Sequence, residues 1–283
     1  MIDKKEVLEC IKAPMAHYLN EMKRTLGNWQ PLEAAAAKLL EGQKVNDEEV
    51  PEIYLPMVEM MRLIAKVTKE SEWDWANPAV QKYFANKSES QLYGIFTNAI
   101  VGTIAAIIQK IKINTLVEVG TGPGQVSAAL CRKMIQNDIN IPLIISDRAP
   151  GITQTREKLF KENPSLTIDS FVWDISREPP RELLEKLKKP VLLFERFCLP
   201  YAGHSAIDNI APLADMMIMQ DDLSLSGKKA SFDILYGRIG THFLIYKKAK
   251  KHLEKHFSFI HTCDKDLAKT INYPVTTFTL AIK

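Results

Sequence analysis

Residues 116–130 read LVEVGTGPGQVSAAL, an apolar, β-branched run that ends in glycines and opens into a helical pattern. Glycines at 120, 122 and 124 allow positive φ and let the backbone approach a ligand closely. The helix that follows directs free amides and its positive end at the same spot. A nucleotide-like ligand is implied. The spacing is Gly-x-Gly-x-Gly, with Gln125 where a dinucleotide fingerprint carries its last glycine. No Gly-Lys-Ser/Thr follows, which argues against a phosphate-binding P-loop.

Downstream of this segment, short β-branched runs alternate with helical stretches, the pattern of a mostly parallel sheet covered by helices. The runs span 115–119, 142–146, 167–173, 190–195, 214–220, 257–262 and 275–282. Only residues 263–274 separate the last two, too few for a helical crossover, so an antiparallel pair is expected there. The fold class is therefore α/β, with a Rossmann-like, seven-stranded, mostly parallel sheet and an antiparallel last strand. Upstream the periods are helical: Leu8, Ile11 and Met15 begin one apolar face, and Leu55, Val58, Met61 or Arg62, and Ala65 form another. Pro14, Pro31, Pro51, Pro56 and Pro78 punctuate these helices. The polar break at 86–90 divides an all-helical N-terminal region, 1–90, from a ligand-binding domain, 91–283. Residues 91–109 carry no charge, yet Gly94, Thr97, Asn98, Gly102 and Thr103 interrupt their apolar run. They are expected to form a buried helix beside the sheet rather than a membrane span.

Glu118, Gly120, Gly122 and Gly124 resemble the first motif of the class I S-adenosylmethionine-dependent methyltransferases, in which an acid stands two places before the glycine loop. The resemblance implies that this loop, Thr121 included, wraps the amino-acid part of S-adenosylmethionine. A cationic amino group and sulfonium account for an acid where a pyrophosphate would be repelled. Asp147, directly after LIIS at the end of the second run, can accept both ribose hydroxyls, and Arg148 follows it. The resemblance further places Asp174, after FVW, on the adenine amino group, with Ile175 or Trp173 against the ring. Three acids at three successive strand ends converge on one rim, where ligands of open α/β sheets bind.

The fourth run ends in LLFERFCLPYAGH, putting Glu195, Arg196, Tyr201 and His204 at or just beyond that rim. His204 is the candidate general base, since histidine titrates near neutrality; Glu195 or Tyr201 would orient the acceptor. Methyl transfer chiefly needs alignment, and a base only where the acceptor loses a proton. Asp221 and Asp222 after the fifth run match the catechol-type metal pattern poorly and are read as capping acids. His252 and His256, four apart, lie in KKAKKHLEKH; Ile239, Phe243, Tyr246, Ala249 and Leu253 continue its apolar face, so its lysines are read as a solvated side.

The net charge of +3 and pI near 8.5 are mild, so no nucleic-acid partner is expected. The cysteines at 10, 131, 198 and 263 form no C-x-x-C pair and fit reduced thiols in a cytoplasm. The opening residues lack the apolar core of a secretion signal. The resemblance, taken with these readings, implies a methyltransferase with a small-molecule acceptor and no membrane partner. Its N-terminal helices, with Trp73, Trp75, Tyr83 and Tyr93, would supply a lid or acceptor pocket and a homodimer surface. The alternatives are an aminopropyl- or aminocarboxypropyl-transferring relative on the same binding domain, or a non-catalytic binding subunit. An NAD-linked oxidoreductase is disfavoured by the glycine spacing.

Overall fold

The computed structural model describes residues 2–26, 28–70, 72 and 91–283. Helices α1 (Lys4–Leu26), α2 (Gln30–Leu40), α3 (Leu55–Glu70) and α4 (Gln91–Ile108) open the chain. Then β1 (Thr115–Val119), α5 (Gln125–Gln136), β2 (Leu143–Asp147), α6 (Ile152–Glu162), β3 (Ile168–Val172), α7 (Arg181–Lys186) and β4 (Val191–Arg196) alternate. The short helices α8 (Leu199–Ala202) and α9 (Ile207–Ile210) lead to β5 (Met216–Gln220), β6 (Leu223–Ser224), α10 (Ser231–Gly237) and α11 (Tyr246–Leu253). The chain closes with β7 (Phe259–Thr262), α12 (Lys265–Thr270), β8 (Val275–Thr276) and β9 (Thr279–Ile282).

Seven strands form one sheet in the order β3-β2-β1-β4-β5-β9-β7, and β6 and β8 pair separately. Strands β1 to β5 run parallel; β9 is antiparallel to both β5 and β7. The seven-stranded sheet and its antiparallel last strand agree with the sequence expectation. The last run, expected as one strand over 275–282, is instead broken in two. Its cause is Asp264, whose carboxylate takes the amides of Thr277 at 2.7 Å and Phe278 at 3.2 Å, so these donors leave the ladder.

Both faces of the central strands are buried, so the strands read as apolar runs and the period-2 alternation sorts them into two cores. Leu116, Ile145, Leu192, Phe194 and Ile218 join a cluster with α1 to α6. Val117, Ile144, Leu193 and Met219 pack with Leu183, Ile207, Ile210 and Leu253 on the opposite face. The first cluster runs continuously from Val7 and Ile11 through Val58 and Ile104 to the sheet.

Helix α4 is the helix among the described residues that is long and apolar enough to cross a membrane, and 67% of its span is buried inside the protein. Each isoleucine it buries contributes about 1.5–3 kcal/mol, so packing against the core accounts for its composition. Helix α1 continues through Pro14 rather than stopping there. Gly102 of α4 faces the Pro14 ring, where an added Cβ would make ordinary contact at 3.5 Å. Pro31 and Pro56 sit in the first turns of α2 and α3, where proline is tolerated. The buried face of α3 is Val58, Met60, Met61 and Ile64. Ile239 and Phe243 do not extend α11, which starts at Tyr246; a turn with Gly240 at φ +78° intervenes. The 86–90 boundary and Trp73, Trp75, Pro78 and Tyr83 lie outside the described residues.

Candidate functional site

Gly120, Gly122 and Gly124 all take positive φ, and Gly124 caps α5. The loop they form is stitched to β2 from two sides. Thr121 N–H donates to the Ser146 carbonyl at 3.0 Å, and Gly122 N–H to Asp147 Oδ2 at 2.8 Å. Asp147 Oδ1 accepts from Ala149 N–H at 2.9 Å. Its carboxylate therefore bridges the glycine loop and its own turn, with lone pairs left over. A Cβ on Gly124 would meet Thr155 Cγ2 at 2.7 Å, and one on Gly120 would fall into the Cys198 side chain. Close packing thus demands glycine at both positions.

Glu118 is buried below the loop and accepts a hydrogen bond from Ser127 of α5. Burial pushes its carboxyl up to about 7, against the pull of Ser127 and of Arg196. Asp174 stands at the tip of β3, where Oδ1 takes the Ser176 amide at 3.0 Å and its hydroxyl at 2.7 Å. Those bonds hold its carboxyl below the usual range. Ile175 and Trp173 are buried in the core beside it, and Trp173 Nε1 donates to the Arg177 carbonyl at 3.1 Å. Arg148 is exposed and lies within electrostatic reach of both Asp174 and Tyr201.

At the tip of β4 the chain turns sharply, with Phe197 at φ +55°, a region bulky residues rarely adopt. Its ring packs edge-on against Phe96 of α4, with centroids 5.4 Å apart. Glu195 is fully buried: Oε1 accepts from Gln220 N–H at 3.1 Å, and Oε2 from the Cys198 amide and thiol, each at 3.4 Å. Asp221, also buried, meets the Glu195 carboxyl, and both carboxyls are pushed up, chiefly by burial. Asp221 is thus half of a buried acid pair rather than a helix cap. Arg196 faces the other way: Nη1 donates to Thr97 Oγ1 at 2.5 Å and Nη2 to Gln125 Oε1 at 3.3 Å.

His204 lies farther along, in a turn after α8. Its Nε2 accepts from Ile245 N–H at 2.8 Å and its ring stacks on His252. Burial lowers its pKa below the usual value, which suits the neutral acceptor role. Glu195 and His204 share no hydrogen-bond partner among the described residues. Tyr201 is half-buried, and burial pushes its phenol up while Arg148 pulls it down. His252 and His256 both bind Asp208 of α9, at 2.8 and 3.1 Å. They clamp α11 to that segment.

The strand order, with an antiparallel strand inserted beside β5, meets a glycine loop at the reversal between β1 and β4. The chain has the class I methyltransferase fold. Among solved structures it resembles the DszA carbon methyltransferase at 11% identity and TM-score 0.61, over 98% of this chain and 87% of that one. The citrinin polyketide synthase CMeT domain aligns at 12% identity and TM-score 0.56, over 93% and 68%. The CurJ carbon methyltransferase aligns at 15% identity and TM-score 0.52, over 93% and 70%. No family model and no curated protein sequence matches the chain. Because these alignments span nearly the whole chain, the likeness in fold takes in the N-terminal helices as well as the sheet.

Sequence reasoning placed Arg196 at the rim without a role, and it missed the Glu195–Asp221 pair and Ser127. Helix position offers one signal for Ser127: it lies in the first turn of α5, nine residues beyond Glu118, on the strand–loop–helix unit that returns it there.

Proposed function

We propose that this protein is an S-adenosylmethionine-dependent methyltransferase acting on a small-molecule acceptor. The observation that carries the reading is the Asp147 carboxylate, bonded to the Gly122 amide at the sheet reversal. A carboxylate so placed holds the loop open for one end of a ligand while offering its remaining lone pairs to a ribose. The residues present fit the cofactor: Thr121 Oγ1 is buried on the loop without a partner among the described residues, and Glu118 and Asp147 supply acids suited to a cation. Likeness in fold to carbon methyltransferases supports methyl transfer as the reaction class.

In this reading Glu118, Gly120, Thr121, Gly122 and Gly124 hold the methionyl part, and the Arg196 guanidinium complements its carboxylate. Asp147 binds the ribose, and Arg148, Asp174 and Ile175 frame the adenine. The cofactor supplies a methyl group on a sulfonium, an electrophile already activated for in-line attack. Tyr201 orients the acceptor, while Glu195, buried against Gln220 and Cys198, supports the turn that carries Tyr201; His204 takes a proton where one is lost, through Nδ1 while Nε2 accepts from Ile245. Residues 1–90 are assigned to the acceptor side, as a lid or a dimer surface. The free cysteines accord with a reducing cytoplasm.

Calorimetry with S-adenosylmethionine and, separately, NAD tests the reading. Saturable binding of the first and none of the second is expected; a protein that ignores S-adenosylmethionine is no methyltransferase of this kind.

A further inference from the structure

Glu195 and Asp221 stand at the adjacent tips of β4 and β5, both out of water. Glu195 accepts from Gln220, from the Cys198 amide and from the Cys198 thiol. Asp221 follows directly on Gln220, whose amide Glu195 accepts, and apart from the Phe197 amide beside it the Asp221 carboxyl has only the Glu195 carboxyl for a partner, so a hydrogen bond between the two needs a proton of its own. Two carboxylates buried in contact repel each other and lose their hydration, so at most one of them is ionised.

The surroundings leave that proton in place. From the turn after β4 the pair is faced by the Cys198 thiol and, beyond it, Tyr201; from the end of β5, by Asp222. Asp147, at the tip of β2, bears on Cys198 from across the crevice. The buried cation of this region, Arg196, is hydrogen-bonded to Thr97 and Gln125 and acts on Glu118. Cys198 also packs directly against Gly120. The pair therefore lies one side chain beneath the glycine loop, where an arriving positive charge would be felt.

We propose that the Glu195–Asp221 pair carries one shared proton in the free protein and releases it to solvent when the sulfonium of the cofactor docks on the glycine loop. The proposal rests on the cofactor reading above. A nearby cation favours the ionised form of a carboxyl, and linkage then makes cofactor affinity rise with pH. No covalent bond changes; one proton leaves as one positive charge arrives.

The test compares S-adenosylmethionine with S-adenosylhomocysteine, whose sulfur is neutral, by calorimetry in buffers of different ionisation enthalpy. The sulfonium ligand should release up to about one proton more than the neutral one. The ratio of the two affinities should climb with pH by up to about tenfold per unit across the titration of the pair. Asp221→Asn should abolish both effects, and Glu195→Gln serves if that variant does not fold. Equal proton release by the two ligands overturns the proposal. So does a difference that survives Asp221→Asn and disappears in Glu118→Gln, which would assign the proton to Glu118. If neither ligand binds, the cofactor reading itself fails and takes this one with it.

Discussion

A side chain at Gly120 would have to share space with Cys198 while holding φ at +69°. Gly120→Ala should therefore destabilise the protein by about 2–4 kcal/mol, overpacking and left-handed strain combined. In a Cys198→Gly background the same change should cost only about 1 kcal/mol, the strain alone, as a double-mutant cycle in urea would measure. For Glu118 the folded carboxyl sits at about 7, above its ordinary 4.5. Its protonated form is the one the fold accommodates. The stability it contributes is complete below pH 4.5 and is lost as pH rises through 7. Glu118→Gln should thus gain on the wild type between these values, approaching about 3 kcal/mol by pH 8 in denaturation experiments. Asp147→Ala should weaken S-adenosylmethionine binding by about 1.5–3 kcal/mol, the scale for hydrogen bonds to a charged group; unchanged affinity would remove its assigned role. These acids were visible as strand-end residues. Most of their partners were not: Gly122 reaches Asp147, and Arg196 approaches Glu118, only after the strands align, whereas Ser127 meets Glu118 within one strand–loop–helix unit.

At the scale of elements, Asp264 ties the first helix to the last strands. Its carboxylate accepts from Thr276, from the Thr277 amide and hydroxyl, and from the Phe278 amide, while the Tyr18 hydroxyl reaches it at 3.4 Å and also bonds Thr277. Asp264→Ala would strand several buried donors at once and should cost about 3–5 kcal/mol in denaturant-induced unfolding. Tyr18→Phe, which removes one hydroxyl, should cost about 1 kcal/mol. This hub explains why the strand expected over 275–282 is broken. The apolar alternation was legible, whereas an aspartate eleven residues upstream of Val275 gave no local sign that it would claim two ladder amides. Pro14 teaches the converse: its missing donor suggested a break, yet the helix runs through it from Lys4 to Leu26, packed along its length against α4.

Across the whole molecule, the segment after β4 is held to the C-terminal third by Asp208, which gathers Lys255, His252 and His256 at 2.7, 2.8 and 3.1 Å. Burial pushes the Asp208 carboxyl up, but the three hydrogen bonds outweigh it and bring it down to about 2. A depressed carboxyl contributes stability above its unfolded value of 3.8, and that stability is lost as pH falls toward 2. Asp208→Asn should accordingly lower the melting temperature at pH 5 and make little difference near pH 2. Asp208 is one-third exposed, so the effect should stay below about 1 kcal/mol. His252 and His256 drew attention for their spacing. Their shared partner lies more than forty residues earlier in the chain, beyond the reach of any periodicity.

The amino-acid sequence by itself determined the alternation of strands and helices, the glycine turn after β1 and the antiparallel final pair. Each of these depends on local periodicity or on backbone freedom within a few residues. Tertiary structure alone decided that Glu195 and Asp221 would meet, that Cys198 would press on Gly120, and that Arg196 would reach α4 and α5. Such contacts join residues far apart in the chain, and only the packing of adjacent strand tips brings them within hydrogen-bonding distance.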